Sequence, residues 1–144
     1  TMFPTGNTFS TCFDIGDFNR DERLDLVVIN EDTGSIGILL GLFEGFQNQT
    51  TYSVGSNPYF VAVADVNQDT RLDIIVANVA SNDVSVLLGQ GNGSFASQTT
   101  YSVGSSPSSV ALVDVNNDSR LDIIVANWHS DDVSVLLGQA NGSF

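Results

Sequence analysis

Residues 65–77 read Asp-Val-Asn-Gln-Asp-Thr-Arg-Leu-Asp-Ile-Ile-Val-Ala, and residues 114–126 read Asp-Val-Asn-Asn-Asp-Ser-Arg-Leu-Asp-Ile-Ile-Val-Ala. A third version, Asp-Phe-Asn-Arg-Asp-Glu-Arg-Leu-Asp-Leu-Val-Val-Ile, occupies 17–29. Each opens with Asp-x-Asn-x-Asp-x-Arg-Leu-Asp, which carries side-chain oxygens at loop positions 1, 3, 5 and 9. Oxygen donors this close on a tight loop suit a hard cation of flexible geometry, and calcium fits best. The apolar, β-branched run that follows at once reads as a strand. An EF-hand is excluded, because its bidentate Glu at position 12 is replaced by Val28, Val76 and Val125. Plain Asx-turns between strands are the simpler alternative, but three copies with the same ligand types argue against it.

The spacing from Asp17 to Asp65 is 48 residues and from Asp65 to Asp114 it is 49. Units 47–95 and 96–144 agree at 36 of 49 positions, well beyond the loop, while unit 1–46 is shorter and more divergent. A period in this range signals an array or a propeller. A unit of about 50 residues is also small to stabilise a core alone, so 1–144 reads as a single repeat array. Within 47–95 four short strands are expected, at Gln49–Val54, Tyr59–Val66, Leu72–Ala77 and Val84–Leu88, bounded by Gly, Asn, Ser and Pro. The middle strand is apolar on both faces, as when sheets stack on each side of it. The expected fold class is therefore all-β: three four-stranded antiparallel repeats, the blades of a β-propeller. Three blades cannot close a ring. The array is thus expected to be partial, or closed by oligomerisation, with one apolar face open at each end. Further blades in cis would cover those faces. So would a second copy in trans, paired head to tail into a six-bladed ring, with Thr1–Gly6 standing roughly at the position of the Gln-Thr-Thr-Tyr-Ser-Val strand for the first blade and Phe144 stopping just before a further such strand.

The net charge is −13, from four Arg, no Lys and 17 acids. That balance argues against a nucleic-acid or anionic-membrane partner. No apolar run approaches the ~18 residues of a membrane span, so no membrane insertion is expected. Nine of the acids stand at the ligand positions of the three loops, and three bound divalent cations would bring the charge to about −7. Without metal the loop carboxylates repel one another, so folding should be linked to calcium. Cys12 is the only cysteine, which rules out an intrachain disulfide, and it reads as a buried thiol. His129 is the only histidine, which removes the basis for a His-based zinc site or a catalytic triad. No pair of carboxylates is marked as buried across a cleft, as a glycosidase would need, so the chain is read as a non-enzyme. Sequons at Asn48, Asn92, Asn117 and Asn141 fit a secreted setting only weakly. Trp128 and His129 stand where the other units have Val79-Ala80 and Glu31-Asp32. They read either as a ligand-contacting surface or as a variable turn.

These units resemble FG-GAP or VCBS repeats, the calcium-binding blades of integrin α-subunit propellers and of many secreted proteins. The residues that carry the resemblance are the three Asp-x-Asn-x-Asp-x-Arg-Leu-Asp segments with their strands and the Gly-Asn-Gly-Ser-Phe element at 91–95, repeated in part at 141–144. The resemblance implies that side chains at positions 1, 3, 5 and 9 and the carbonyl of position 7 hold one Ca2+ per repeat, three in all. The implied sites are Asp17, Asn19, Asp21, Arg23 and Asp25; Asp65, Asn67, Asp69, Arg71 and Asp73; and Asp114, Asn116, Asp118, Arg120 and Asp122. The family usually places Gly at position 6, where this chain has Glu22, Thr70 and Ser119. If φ is positive there, each residue carries strain and calcium affinity is weakened. The Arg side chains at position 7 either brace a neighbouring carboxylate or are solvated. The function implied is an extracellular binding or adhesion scaffold whose partner is a protein or a glycan. The alternatives are a lectin-like propeller using Trp128, or a non-catalytic accessory region of a secreted hydrolase.

Overall fold

The computed structural model describes residues 12–144, so the expectation for Thr1–Gly6 lies outside the described residues. Strands β1 (Phe13–Gly16), β2 (Asp25–Asn30) and β3 (Ser35–Leu39) form an antiparallel meander. A two-residue pair, β4 (Gly41–Leu42) and β5 (Gly45–Phe46), follows. Strand β6 (Thr50–Ser53) then returns to pair antiparallel with β3. The pattern recurs in β7 (Pro58–Ala64), β8 (Asp73–Asn78) and β9 (Asp83–Leu87), joined at the outer edge by β10 (Thr99–Ser102). It recurs again in β11 (Pro107–Val113), β12 (Asp122–Asn127) and β13 (Asp132–Leu136). The fold is thus all-β, with two four-stranded antiparallel sheets and one of three strands. Among the described residues no helix is long and apolar enough to cross a membrane.

The sheets are out of phase with the sequence repeat, since each four-stranded sheet takes its fourth strand from the unit that follows. The first strand of unit 47–95, Thr50–Ser53, closes the sheet before it, and Thr99–Ser102 does the same one unit later. Strand spacing alone leaves open whether the Thr-Thr-Tyr-Ser strand pairs forward or back. The pairing is set by the turn Val54–Asn57, which carries the chain from the outer edge of one sheet to the inner strand of the next. The Val54 N–H donates to the Gly34 carbonyl at 2.9 Å, which holds the start of that turn on the first sheet.

Stacking explains the two-faced middle strands. Ile74 and Val76 point into a core shared with the first sheet, among Val27, Ile29, Ile36 and Ile38. Ile75 and Ala77, alternate in sequence, point into a second core with Val110, Ile123 and Val125 of the third sheet. Neighbouring sheets meet along their first strands, β1 against β7 and β7 against β11, and the Asp14 carboxylate accepts the Val63 N–H across the first of these contacts at 3.0 Å. The Asn-Gly-Ser-Phe elements at 92–95 and 141–144 drive their rings between sheets. Phe95 meets Phe18 and Tyr52 edge-on, with centroids 5.5 and 5.6 Å apart, and Phe144 meets Tyr101 at 5.6 Å. Cys12 is half-buried against the first core rather than fully enclosed.

Candidate functional site

Each Asp-x-Asn-x-Asp loop joins the first strand of a sheet to the second, and the three share one conformation. The N–H of Asp21 lies 3.1 Å from both Asp17 Oδ1 and Asn19 Oδ1, so positions 1 and 3 converge on position 5. In the second loop Asp65 and Asn67 converge on the Asp69 N–H at 3.1 Å each. In the third, Asp114 and Asn116 converge on Asp118 at 3.1 and 3.0 Å. The other oxygen of the position-1 Asp takes the next N–H, from Glu22, Thr70 and Ser119. These acceptors close an anionic loop around backbone donors, and each oxygen keeps further lone-pair capacity.

Such winding needs left-handed backbone twice per loop. Position 4 has φ of 62°, 62° and 59° at Arg20, Gln68 and Asn117, and position 6 has 66°, 67° and 67° at Glu22, Thr70 and Ser119. The condition set by the sequence is therefore met: the missing position-6 glycines leave non-glycine residues in the left-handed region, at a cost of about 1 kcal/mol each. The strained position also links the loops. Arg20 Nη2 donates to the Thr70 carbonyl and hydroxyl at 2.6 Å, and the Gln68 amide donates to the Ser119 carbonyl. Position 4 of one loop thus reaches position 6 of the next, which sets the three loops side by side.

Position 9 behaves differently. Asp25, Asp73 and Asp122 are fully buried, and each uses both oxygens on backbone donors. Asp73 accepts from Val66 N–H at 2.9 Å and Gly89 N–H at 2.8 Å. Asp25 takes Phe18 and Gly41, and Asp122 takes Val115 and Gly138. The carboxylate therefore ties the loop to the end of the third strand. The glycine in that tie is required, because a Cβ at Gly89 would overlap the Leu72 carbonyl oxygen. Burial pushes the Asp73 carboxyl up to about 6. The Gly89 and Val66 N–H groups oppose the rise, and the charges of Asp69 and Asp65 add to it. At Asp21 and Asp118 partial desolvation also acts upward. It is outweighed by the backbone N–H of Arg23 or Arg120, by the Asn19 or Asn116 amide and by the guanidinium, so both lie below the usual carboxylate range.

The position-7 arginines turn back onto the position-5 Asp in every loop. Arg23 lies 3.0 Å from Asp21 and Arg71 lies 3.6 Å from Asp69, and Arg120 pairs with Asp118. All three are partly solvated, so each pair contributes little stability. The side chains at positions 1, 3 and 5 are thus brought together and the position-7 guanidinium lies against position 5, while position 9 sits apart on its own donors. Among the described residues no three acidic, histidine or cysteine side chains converge on one point.

At the opposite end of the sheets, Asn78 and Asn127 pin the turn between second and third strands. Asn78 donates to Asp83 and Ser85 at 2.7 and 2.8 Å, and Asn127 to Asp132 and Ser134 at 2.8 and 2.9 Å. The residue after this Asn is Glu31, Val79 or Trp128, and all three line one pocket of about 350 Å3 together with Asn57, Tyr59, Ser106 and Ser108. Trp128 is 73% exposed and Tyr59 46%. His129 packs edge-on against Trp128, centroids 5.2 Å apart. Apart from Trp128, the pocket escapes a reading of motifs. The signal that would have found it is the set of positions at which the two closest repeats differ.

Compared with known proteins, the chain matches the family model described as FG-GAP-like repeat twice, over residues 17–76 and 65–125. No curated protein matches it.

Proposed function

This chain belongs to the FG-GAP-like repeat family, and we propose that it is a calcium-binding, β-propeller-like module that works outside the cell as a non-catalytic binding scaffold. The observation that carries the reading is the threefold convergence of positions 1 and 3 on the position-5 N–H. Side-chain oxygens are already gathered in each loop by the fold itself. The donor set, carboxylates with one Asn amide oxygen and a backbone carbonyl, is the one a hard cation takes.

Asp17, Asn19, Asp21 and the Arg23 carbonyl would hold Ca2+ in the first loop, with the equivalent groups in the other two. The ion would supply positive charge between carboxylates that otherwise rely on N–H donors and one guanidinium. The position-9 carboxylates, with both oxygens on backbone donors, would join through their remaining lone pairs and couple the ion to the third strand. The strained position 6 favours modest affinity, and such sites fill at the ~10⁻⁴–10⁻³ M calcium typical of extracellular modules.

The test is thermal unfolding in millimolar calcium and in excess chelator. Calcium is expected to raise the melting temperature in a concentration-dependent way, because it binds the folded loops and not the unfolded chain. An identical melting curve in chelator would remove the metal from the account.

A further inference from the structure

Units 47–95 and 96–144 differ at 13 of 49 positions. Within the metal loops they differ only at positions 4 and 6, never at an oxygen-bearing ligand position. The pocket at the other end draws on three repeat positions from these units: Asn57 with Ser106, Tyr59 with Ser108, and Val79 with Trp128. All three are among the positions that differ. Two nearly identical repeats have therefore diverged at every point where they line this cavity, while the second and third strands of their sheets, 73–78 with 122–127 and 83–87 with 132–136, are identical in sequence. Glu31 of the first unit, at the Val79 position, completes the wall with a third chemistry. One backbone position thus supplies a carboxylate, an apolar floor and an indole to the same pocket.

We propose that this pocket binds a sugar ring of an extracellular glycan. The inference rests on the binding-scaffold reading and names the ligand class for it. The Trp128 and Tyr59 rings are large apolar faces left in contact with water, and the C–H face of a pyranose covers such a surface while its hydroxyls stay at the rim. Polar residues share the lining, namely Glu31, Asn57, Ser106 and Ser108, and the Ser108 hydroxyl donates to the Ala126 carbonyl at 3.4 Å. Asn57 Oδ1 is buried and has no protein hydrogen bond, an unmet acceptor in the wall of the pocket. A purely apolar ligand would strand these groups. A quaternary ammonium would use the rings and Glu31 but neither the amide nor the two hydroxyls.

Trp128 is the only tryptophan in the chain, so its fluorescence reports this site alone. The experiment titrates the calcium-loaded protein with methyl pyranosides of glucose, galactose, mannose, fucose and N-acetylglucosamine, and in parallel probes immobilised oligosaccharides. At least one sugar is expected to shift Trp128 emission saturably. Trp128→Ala and Tyr59→Ala are expected to weaken glycan capture at least about tenfold, as loss of an aromatic anchor does, with melting temperature unchanged because both side chains are exposed. Three results would overturn the proposal: no saturable shift and no capture by folded protein, capture that survives Trp128→Ala, or a response to choline without one to sugars. The calcium-dependent melt of the same sample separates failure here from failure of the metal reading.

Discussion

Strands 83–87 and 132–136 have the same sequence, Asp-Val-Ser-Val-Leu, and opposite surroundings. Val84 and Val86 of the second sheet are 0% and 2% exposed, whereas Val133 and Val135 of the third are 63% and 49% exposed. The backbone is the same in both, paired antiparallel to the same Asp-Ile-Ile-Val-Ala-Asn strand in the same register. What differs is the neighbours: β9 also pairs with β10 and the third sheet covers the outer face of the second, whereas among the described residues β13 has no fourth strand beside it and no sheet covers the outer face of the third. Identical pentapeptides thus teach that the repeat encodes a strand, while burial belongs to the stack.

The comparison is broken most directly by a charge. Val86→Asp is expected to destabilise the calcium-loaded protein by at least ~4 kcal/mol, because the carboxylate enters a closed apolar core. Val135→Asp, at the same place in the next sheet, is expected to cost under ~1 kcal/mol. Denaturant melts of the two variants measure both. Equal losses would mean that the outer face of the third sheet is covered in solution.

A smaller effect concerns the buried carboxylate that anchors the second loop. The folded pKa of Asp73, about 6, lies above the ordinary 3.8 of an aspartate side chain. The folded chain therefore holds that proton more firmly than the unfolded chain. The resulting stability is complete below pH ~4 and is lost as pH rises through about 6, by up to ~3 kcal/mol. Asp21 and Asp118 act in another window: their lowered values give stability that is present above ~3.8 and lost as pH falls through the folded value. In chelator, wild type should thus weaken between pH 4 and 6.5, and Asp73→Asn should flatten that slope. A slope unchanged in the variant would show that burial of Asp73 does not set it.

The smallest expected change sharpens the comparison where the two sheets agree. Position 6 has φ of 67° at both Thr70 and Ser119. Ser119→Gly relieves left-handed strain and should stabilise by about 1 kcal/mol. Thr70→Gly should gain less than relief of its β-branched strain alone would give, since the Thr70 hydroxyl accepts from Arg20. Melting of the single variants in calcium measures this, and destabilisation by Ser119→Gly would overturn the account.

Much of this was legible in residue spacing. Three Asp-x-Asn-x-Asp-x-Arg-Leu-Asp loops, the strands that follow them and the two-faced apolarity of Ile74, Ile75 and Val76 all point to stacked antiparallel sheets. The position-6 departure from glycine pointed to strain, and the backbone is left-handed there. The partner of the Thr-Thr-Tyr-Ser strand was not legible, because spacing names a strand but not the edge it joins. Nor was the double role of the position-9 Asp, whose second donor comes from a glycine 16 residues away.

By itself, then, the sequence determined local matters: where strands begin and end, where side-chain oxygens crowd and where the chain must turn. These depend on residues within a few positions of one another, and short-range sterics and hydrogen bonding decide them. Tertiary structure alone decided the rest. It set the one-strand offset between repeat and sheet, the chain of contacts from Arg20 to Thr70 and from Gln68 to Ser119, and the pocket shared by Glu31, Tyr59 and Trp128. Each of these depends on how whole sheets pack face to face, and that packing brings together residues about one or two repeats apart, with no local signal to announce the meeting.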